Sequence, residues 1–187
     1  MLCRLTLFVC LYVCLFFFWA GNCAGGLPSK ENTNTHRNPQ YLLKLTKPGH
    51  IFIQLEQTKR GHEPGRPQSK KSIAVLLLDL NGKRLGTGLF GGDLVKGSLP
   101  YINSDMVTVE IPRLEFKKEG YTIFCSTYRR GQECGMTLQV YSDVPFASDS
   151  LMSSDGGGGG GEAIQLVRMY APEDVQKEHG KVFAVGK

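Results

Sequence analysis

A chain of 187 residues, 41% hydrophobic and 21% charged, can bury one core of modest size. That balance excludes a disordered or collagen-like chain and leaves little room for a second full domain. The net charge of +5, from 22 basic and 17 acidic residues, is too mild for a dedicated nucleic-acid binder.

The first feature in chain order is an apolar run from Leu5 to Ala20, preceded by Arg4 and followed by Gly21, Ala24, Gly25 and Gly26. A basic start, an apolar run and a small-residue exit are the parts of a secretory signal peptide. The run is short for a transmembrane anchor. A mispredicted stretch of gene sequence is the third reading, and a buried helical hairpin is opposed by the lack of a polar face. The reading divides the chain into an apolar segment 1–26, a body 27–170 and a loose tail 171–187.

The polar stretch from Leu27 to Arg37 reads as irregular. Tyr41, Leu43 and Leu45 then alternate with Leu42 and Lys44, which predicts a first strand. Lys47-Pro48-Gly49 is a turn. Ile51, Ile53 and Leu55 alternate with Phe52, Gln54 and Glu56 in a second strand with one wetter face. The segment from Thr58 to Lys71 is a loop that carries Lys59, Arg60, Arg66, Lys70 and Lys71. Ile73 to Leu80 is apolar on both alternating sets, so it predicts a central strand buried on both faces. Asn81-Gly82 follows, and both residues tolerate the positive φ of a tight hairpin turn. A return strand is expected from Lys83, weakened by Gly86 and Gly88.

Val107, Val109 and Ile111 mark another strand, which Pro112 ends or places at an edge. Tyr121, Ile123 and Cys125, then Met136, Leu138 and Val140, mark two more, expected to pair as a hairpin across Arg129 to Gln132. Gly156 to Gly161 reads as a mobile loop, and Ile164, Leu166 and Val167 as one short strand more. No stretch of the body keeps a helical period. Short strands joined by short turns predict an all-β, antiparallel β-sandwich of about eight strands.

Two blocks carry a family resemblance. Asn38-Pro39-Gln40-Tyr41 with Leu42-Leu43-Lys44-Leu45 resembles the opening strand of the calpain β-sandwich domain, the module related to C2 domains that follows the protease core. Gly120-Tyr121-Thr122-Ile123, Cys125-Ser126-Thr127-Tyr128, Gly131-Gln132-Glu133 and Leu138-Gln139-Val140-Tyr141-Ser142 resemble its closing strands. The resemblance covers about Ala20 to Phe146 and is closest to atypical calpains without EF-hands. Trp19, Gly21 and Ala24-Gly25-Gly26 match residues that precede the Asn-Pro strand in the family, so the family domain overlaps the apolar segment near residue 19.

The resemblance implies a non-catalytic regulatory or interaction module of a calpain-like cysteine protease. Its partners would be a protease core, a tandem β-sandwich domain or acidic phospholipid, with no nucleic acid. The alternatives are a fragment of an active calcium-dependent endopeptidase and a secreted β-sandwich binding protein. Family resemblance implies a cytoplasmic location, and a working signal peptide the secretory pathway. No catalytic residue is expected, because the family's cysteine block is absent and His36, His50, His62 and His179 fall in loops or strand ends. No metal or cofactor is expected: Asp79, Asp93, Asp105 and Asp143 are too spread for the oxygen cluster that calcium needs. Five cations on one loop, Lys59, Arg60, Arg66, Lys70 and Lys71, are the candidate site for an anionic lipid or an acidic protein patch. A solvated loop whose charge prevents edge pairing is the plainer reading. Cys125 and Cys134 are candidates for a disulfide only in a secreted chain and are otherwise free thiols.

Overall fold

The computed structural model describes residues 11–19, 24–58, 70–87, 91–147 and 167–168. The strands are β1 (Leu11–Trp19), β2 (Gln40–Leu43), β3 (Gly49–Thr58), β4 (Ser72–Leu78), β5 (Leu94–Gly97), β6 (Ile102–Asn103), β7 (Met106–Leu114), β8 (Tyr121–Thr127), β9 (Cys134–Ser142) and β10 (Val167–Arg168). All pairings are antiparallel. They make two sheets, one in the order β1-β9-β3-β7, the other β10-β2-β8-β4-β5 with β6 also on β4. The protein is an all-β sandwich.

Alternation sets the inner faces. β3 buries Ile51, Ile53 and Leu55 and leaves Phe52, Gln54 and Glu56 partly exposed. Val107, Val109 and Ile111 of β7 and Met136, Leu138 and Val140 of β9 complete that layer. Tyr41, Leu43, Ile73, Val75, Leu77, Ile123 and Cys125 oppose it from the second sheet. Two sheets interdigitating in this way leave a core about 10 Å thick.

The contiguous apolar run of β4 is explained by a second, smaller core outside the second sheet. Leu76, Leu78 and Phe124 face away from the main core and are covered by Leu85, with Leu80 and Leu94 packed against them. The 79–87 segment is therefore a lid on the sheet, and β4 and β8 are buried on both faces. A buried amide fastens it: Gln40 accepts from Leu85 N (2.7 Å) and donates to Leu85 O (3.0 Å). The hydroxyl of Thr122 donates to Lys83 O.

Two strand pairings expected from the sequence are corrected. Asn81 and Gly82 do adopt positive φ (50° and 68°), but among the described residues no strand begins at Lys83, and the strand that returns antiparallel to β4 is β5, from Leu94. The chain from Lys83 is taken up by Gln40 and Thr122, and β4 pairs instead with β8, β5 and β6. β8 and β9 do not form a hairpin. They lie in different sheets, and residues 128–133 arch between the sheets.

Leu11–Trp19, part of the apolar segment, is a nine-residue strand paired along its whole length with β9. The glycine loop from Gly156 to Gly161, Ile164, Leu166 and the tail from Ala171 lie outside the described residues.

Candidate interaction surface

Three connections converge at one end of the sandwich. Thr58 at the end of β3 lies opposite Gly135, Lys70 and Lys71 lead into β4, and Tyr128 N donates to Ser72 O at 2.8 Å. Gln57 ties the root of the β3–β4 connection down. Its amide donates to Lys71 O (2.8 Å) and Ser104 O (2.6 Å), and accepts from Lys71 N (3.1 Å). Lys70 Nζ meets Asp105 Oδ2 at 2.7 Å with both side chains mostly in solvent, a geometry of small net worth.

Of the five cations expected to form the site, Lys70 and Lys71 stand here, while Lys59, Arg60 and Arg66 lie outside the described residues. The sequence reading missed Arg129 and Arg130, both exposed, on the β8–β9 arch at the same end. The Arg-Arg pair was visible as charge but was read only as a turn. The arch is braced from behind. Gly131 N donates to Ala24 O (2.9 Å) and Leu27 N to Tyr128 O (3.2 Å). Gly26, at φ 79°, packs so closely that a Cβ there would sit 2.7 Å from Arg130 N. Asn38 holds this strap through its amide, donating to Gly26 O at 2.8 Å and Thr35 O at 3.1 Å.

Exposed apolar groups flank the cations. Tyr128 (50% exposed) stands on the arch, Leu99 (48%) between β5 and β6, Ile102 (47%) in β6 and Met106 (43%) at the start of β7. Tyr101 stacks edge-on against Tyr128 with ring centroids 5.7 Å apart, and its hydroxyl bonds Ser126. A cationic end with a mixed apolar rim suits an acidic surface that also offers hydrocarbon or apolar side chains.

Cys125 and Cys134 are free thiols, one in each sheet. Burial raises both; Cys134 is pushed up to about 11 while the Lys71 charge pulls the other way. Both are therefore neutral at physiological pH and are weak nucleophiles there. Three of the four spread aspartates engage their carboxylates within the fold, and Asp93 takes part through its backbone. Asp79 pairs with Lys117, Asp105 with Lys70, Asp143 Oδ1 accepts from His50 N, and Asp93 O accepts from Asp79 N. Among the described residues no group of three or more His, Cys, Asp or Glu is placed to hold a metal ion.

The model of the calpain large subunit, domain III, matches residues 18–141, more than half of the chain. The chain belongs to the calpain domain III family. Domain III is a non-catalytic part of calpain-like proteases. The match begins near the end of β1, so Phe18, Trp19 and the Ala24-Gly25-Gly26 strap fall at the start of the matched span, while Leu11 to Phe17 precede it. Over 155 residues the chain is 26% identical to the calpain-like protease palB/cpr-8 of Neurospora crassa. That alignment covers 72% of this chain but 16% of the relative, so this domain III spans a small part of that protein's length.

Proposed function

We propose that this domain III is an interaction module of a calpain-like cysteine endopeptidase, and that its cationic end is the contact. The carrying observation is the convergence of Lys70, Lys71, Arg129 and Arg130 from two connections on one end, with exposed apolar side chains beside them. The partner is an acidic surface, and an acidic phospholipid membrane supplies both features at once. Each cation near such a surface adds on the order of 1 kcal/mol. Co-sedimentation with phosphatidylcholine vesicles, with and without phosphatidylserine, tests this reading. Binding should require phosphatidylserine and weaken as salt rises. Changing Lys70 and Lys71, or Arg129 and Arg130, to Glu should abolish it. Equal binding by the charge-reversed variants removes this end as the lipid contact.

The second reading is an acidic patch on the protease core or on a sibling sandwich of the same polypeptide. The relative's far greater length favours such neighbours. Continuous transcript reads from a cysteine-protease domain into the codons before Trp19 would support it. Adding the core in trans should then compete with vesicles for the same four cations.

A further inference from the structure

The lid over the second sheet turns on Asn81-Gly82, and that dipeptide has a chemistry of its own. The backbone nitrogen of the next residue attacks an asparagine amide when nothing crowds the approach, and glycine has no Cβ to crowd it. The other asparagines of the described residues are protected. Asn32 and Asn34 precede threonines, whose branched side chains shield the nitrogen. Asn38 is buried and precedes Pro39, which has no N–H. Asn103 Oδ1 is held by the Ser72 hydroxyl at 2.7 Å. Asn81 is exposed, and its side chain makes no hydrogen bond among the described residues.

The fold holds this turn shut from several sides. φ is 50° at Asn81 and 68° at Gly82, and Lys83 N donates to Leu80 O at 3.1 Å. Gly82 lies so close to the β7–β8 turn that a Cβ there would sit 2.1 Å from Glu119 O. Thr122 holds Lys83 O, and Gln40 holds both backbone groups of Leu85. At the other end of the lid Asp79 N donates to Asp93 O at 2.8 Å. For the Gly82 nitrogen to reach Asn81 Cγ, the peptide plane between them must rotate. The closed lid pins that plane on both sides, and local opening frees it.

We propose that Asn81 is a self-modification site that latches the lid open. Gly82 N bonds to Asn81 Cγ, the Cγ–Nδ2 bond breaks, and ammonia leaves with the amide proton. Water then opens the succinimide ring. Attack at Cγ gives aspartate with the ordinary main chain. Attack at the Asn81 carbonyl carbon breaks its bond to Gly82 N, and the chain then runs through Cβ and Cγ as isoaspartate, a methylene longer. The only co-reactant is water, and nothing is oxidised or reduced. The longer main chain does not fit a turn already in contact with Glu119 and tied at Asp79, Lys83 and Leu85. The lid stays ajar, and Leu76, Leu78 and Phe124 lose the cover of Leu80 and Leu85. The step runs one way and its rate follows the time spent open, so it marks the age of the module.

Ageing of the full chain in neutral buffer is the test, with the peptide that carries Asn81 followed by mass and its aspartate and isoaspartate forms separated. Deamidation should occur at Asn81. Gln40→Ala, which unfastens the lid, should speed it about tenfold or more, and Thr122→Val should act in the same direction. Val109→Ala, which weakens the main core and leaves the lid tied, should not. Amide exchange at Leu85 should quicken about tenfold or more in the isoaspartate form. It should keep the wild-type rate in freshly made Asn81→Asp, which has the new charge without the longer chain. Equal deamidation in the wild type, Gln40→Ala and Thr122→Val overturns the proposal, as does an isoaspartate form whose Leu85 exchange is unchanged.

Discussion

Two glycines of the same backbone type separate strain from crowding. Gly26 and Gly131 both sit at positive φ, 79° and 74°. A Cβ at Gly131 meets open space, whereas at Gly26 it meets the Arg130 backbone at 2.7 Å. Gly131→Ala should cost about 1 kcal/mol, the left-handed penalty alone. Gly26→Ala should cost clearly more and loosen the arch. Urea unfolding of the two variants measures the difference. The thiols give a pH prediction. Cys134 rises from 9.0 to about 11 on burial, so the native state holds its proton more tightly than the unfolded chain. Its contribution is fully present below pH 9 and is lost as pH climbs from 9 through 11. Tyr101, Tyr121 and Cys125 are also raised, so they act in the same direction. The melting temperature should fall across that window, and Cys134→Ala should shallow the fall.

At the scale of elements, period-two patterns made the strands legible and left their partners hidden. β3, β4, β7, β8 and β9 all follow apolar alternation or an apolar run that is visible in the residues. Pro112 correctly placed β7 at an edge. The pairing of β8 with β9 was misread because alternation reports which face is buried and says nothing about which strand lies alongside. Asn81-Gly82 turned as expected, but a side chain from 45 residues earlier, Gln40, captured the chain that follows. No local signal encodes that capture. Half the candidate site was legible, as the Lys70-Lys71 root of a charged loop. Arg129 and Arg130 were missed because only the fold brings their arch beside it. The Gln40 clamp makes its own prediction. Gln40→Ala leaves Leu85 N–H and C=O buried and unpaired, at about 2–4 kcal/mol for the two groups. Amide exchange at Leu85 should accelerate more than exchange in β3, which shows that the lid opens before the sandwich does.

The whole molecule is a sandwich with a lid on one sheet and a cationic end, and the two respond to different conditions. Domain III modules sit within longer proteases, so surfaces that look idle in an isolated chain are where neighbours belong. Salt dependence separates the two features. Binding through the cationic end should fade as ionic strength rises, while the lid, which closes over an apolar core, should not loosen with it. One protein titrated with salt for vesicle binding and for amide exchange at Leu85 tells them apart.

The arch over residues 128–133 joins strands of opposite sheets, and it presents Arg129 and Arg130 to solvent. Trypsin acting briefly there would sever the covalent tie while the interleaved layers still grip each other. The nicked molecule should run as two fragments in denaturant and as one body in native buffer. A protease that carries such a module would thus keep its shape after the first cut in this arch, and scission alone would not release the piece.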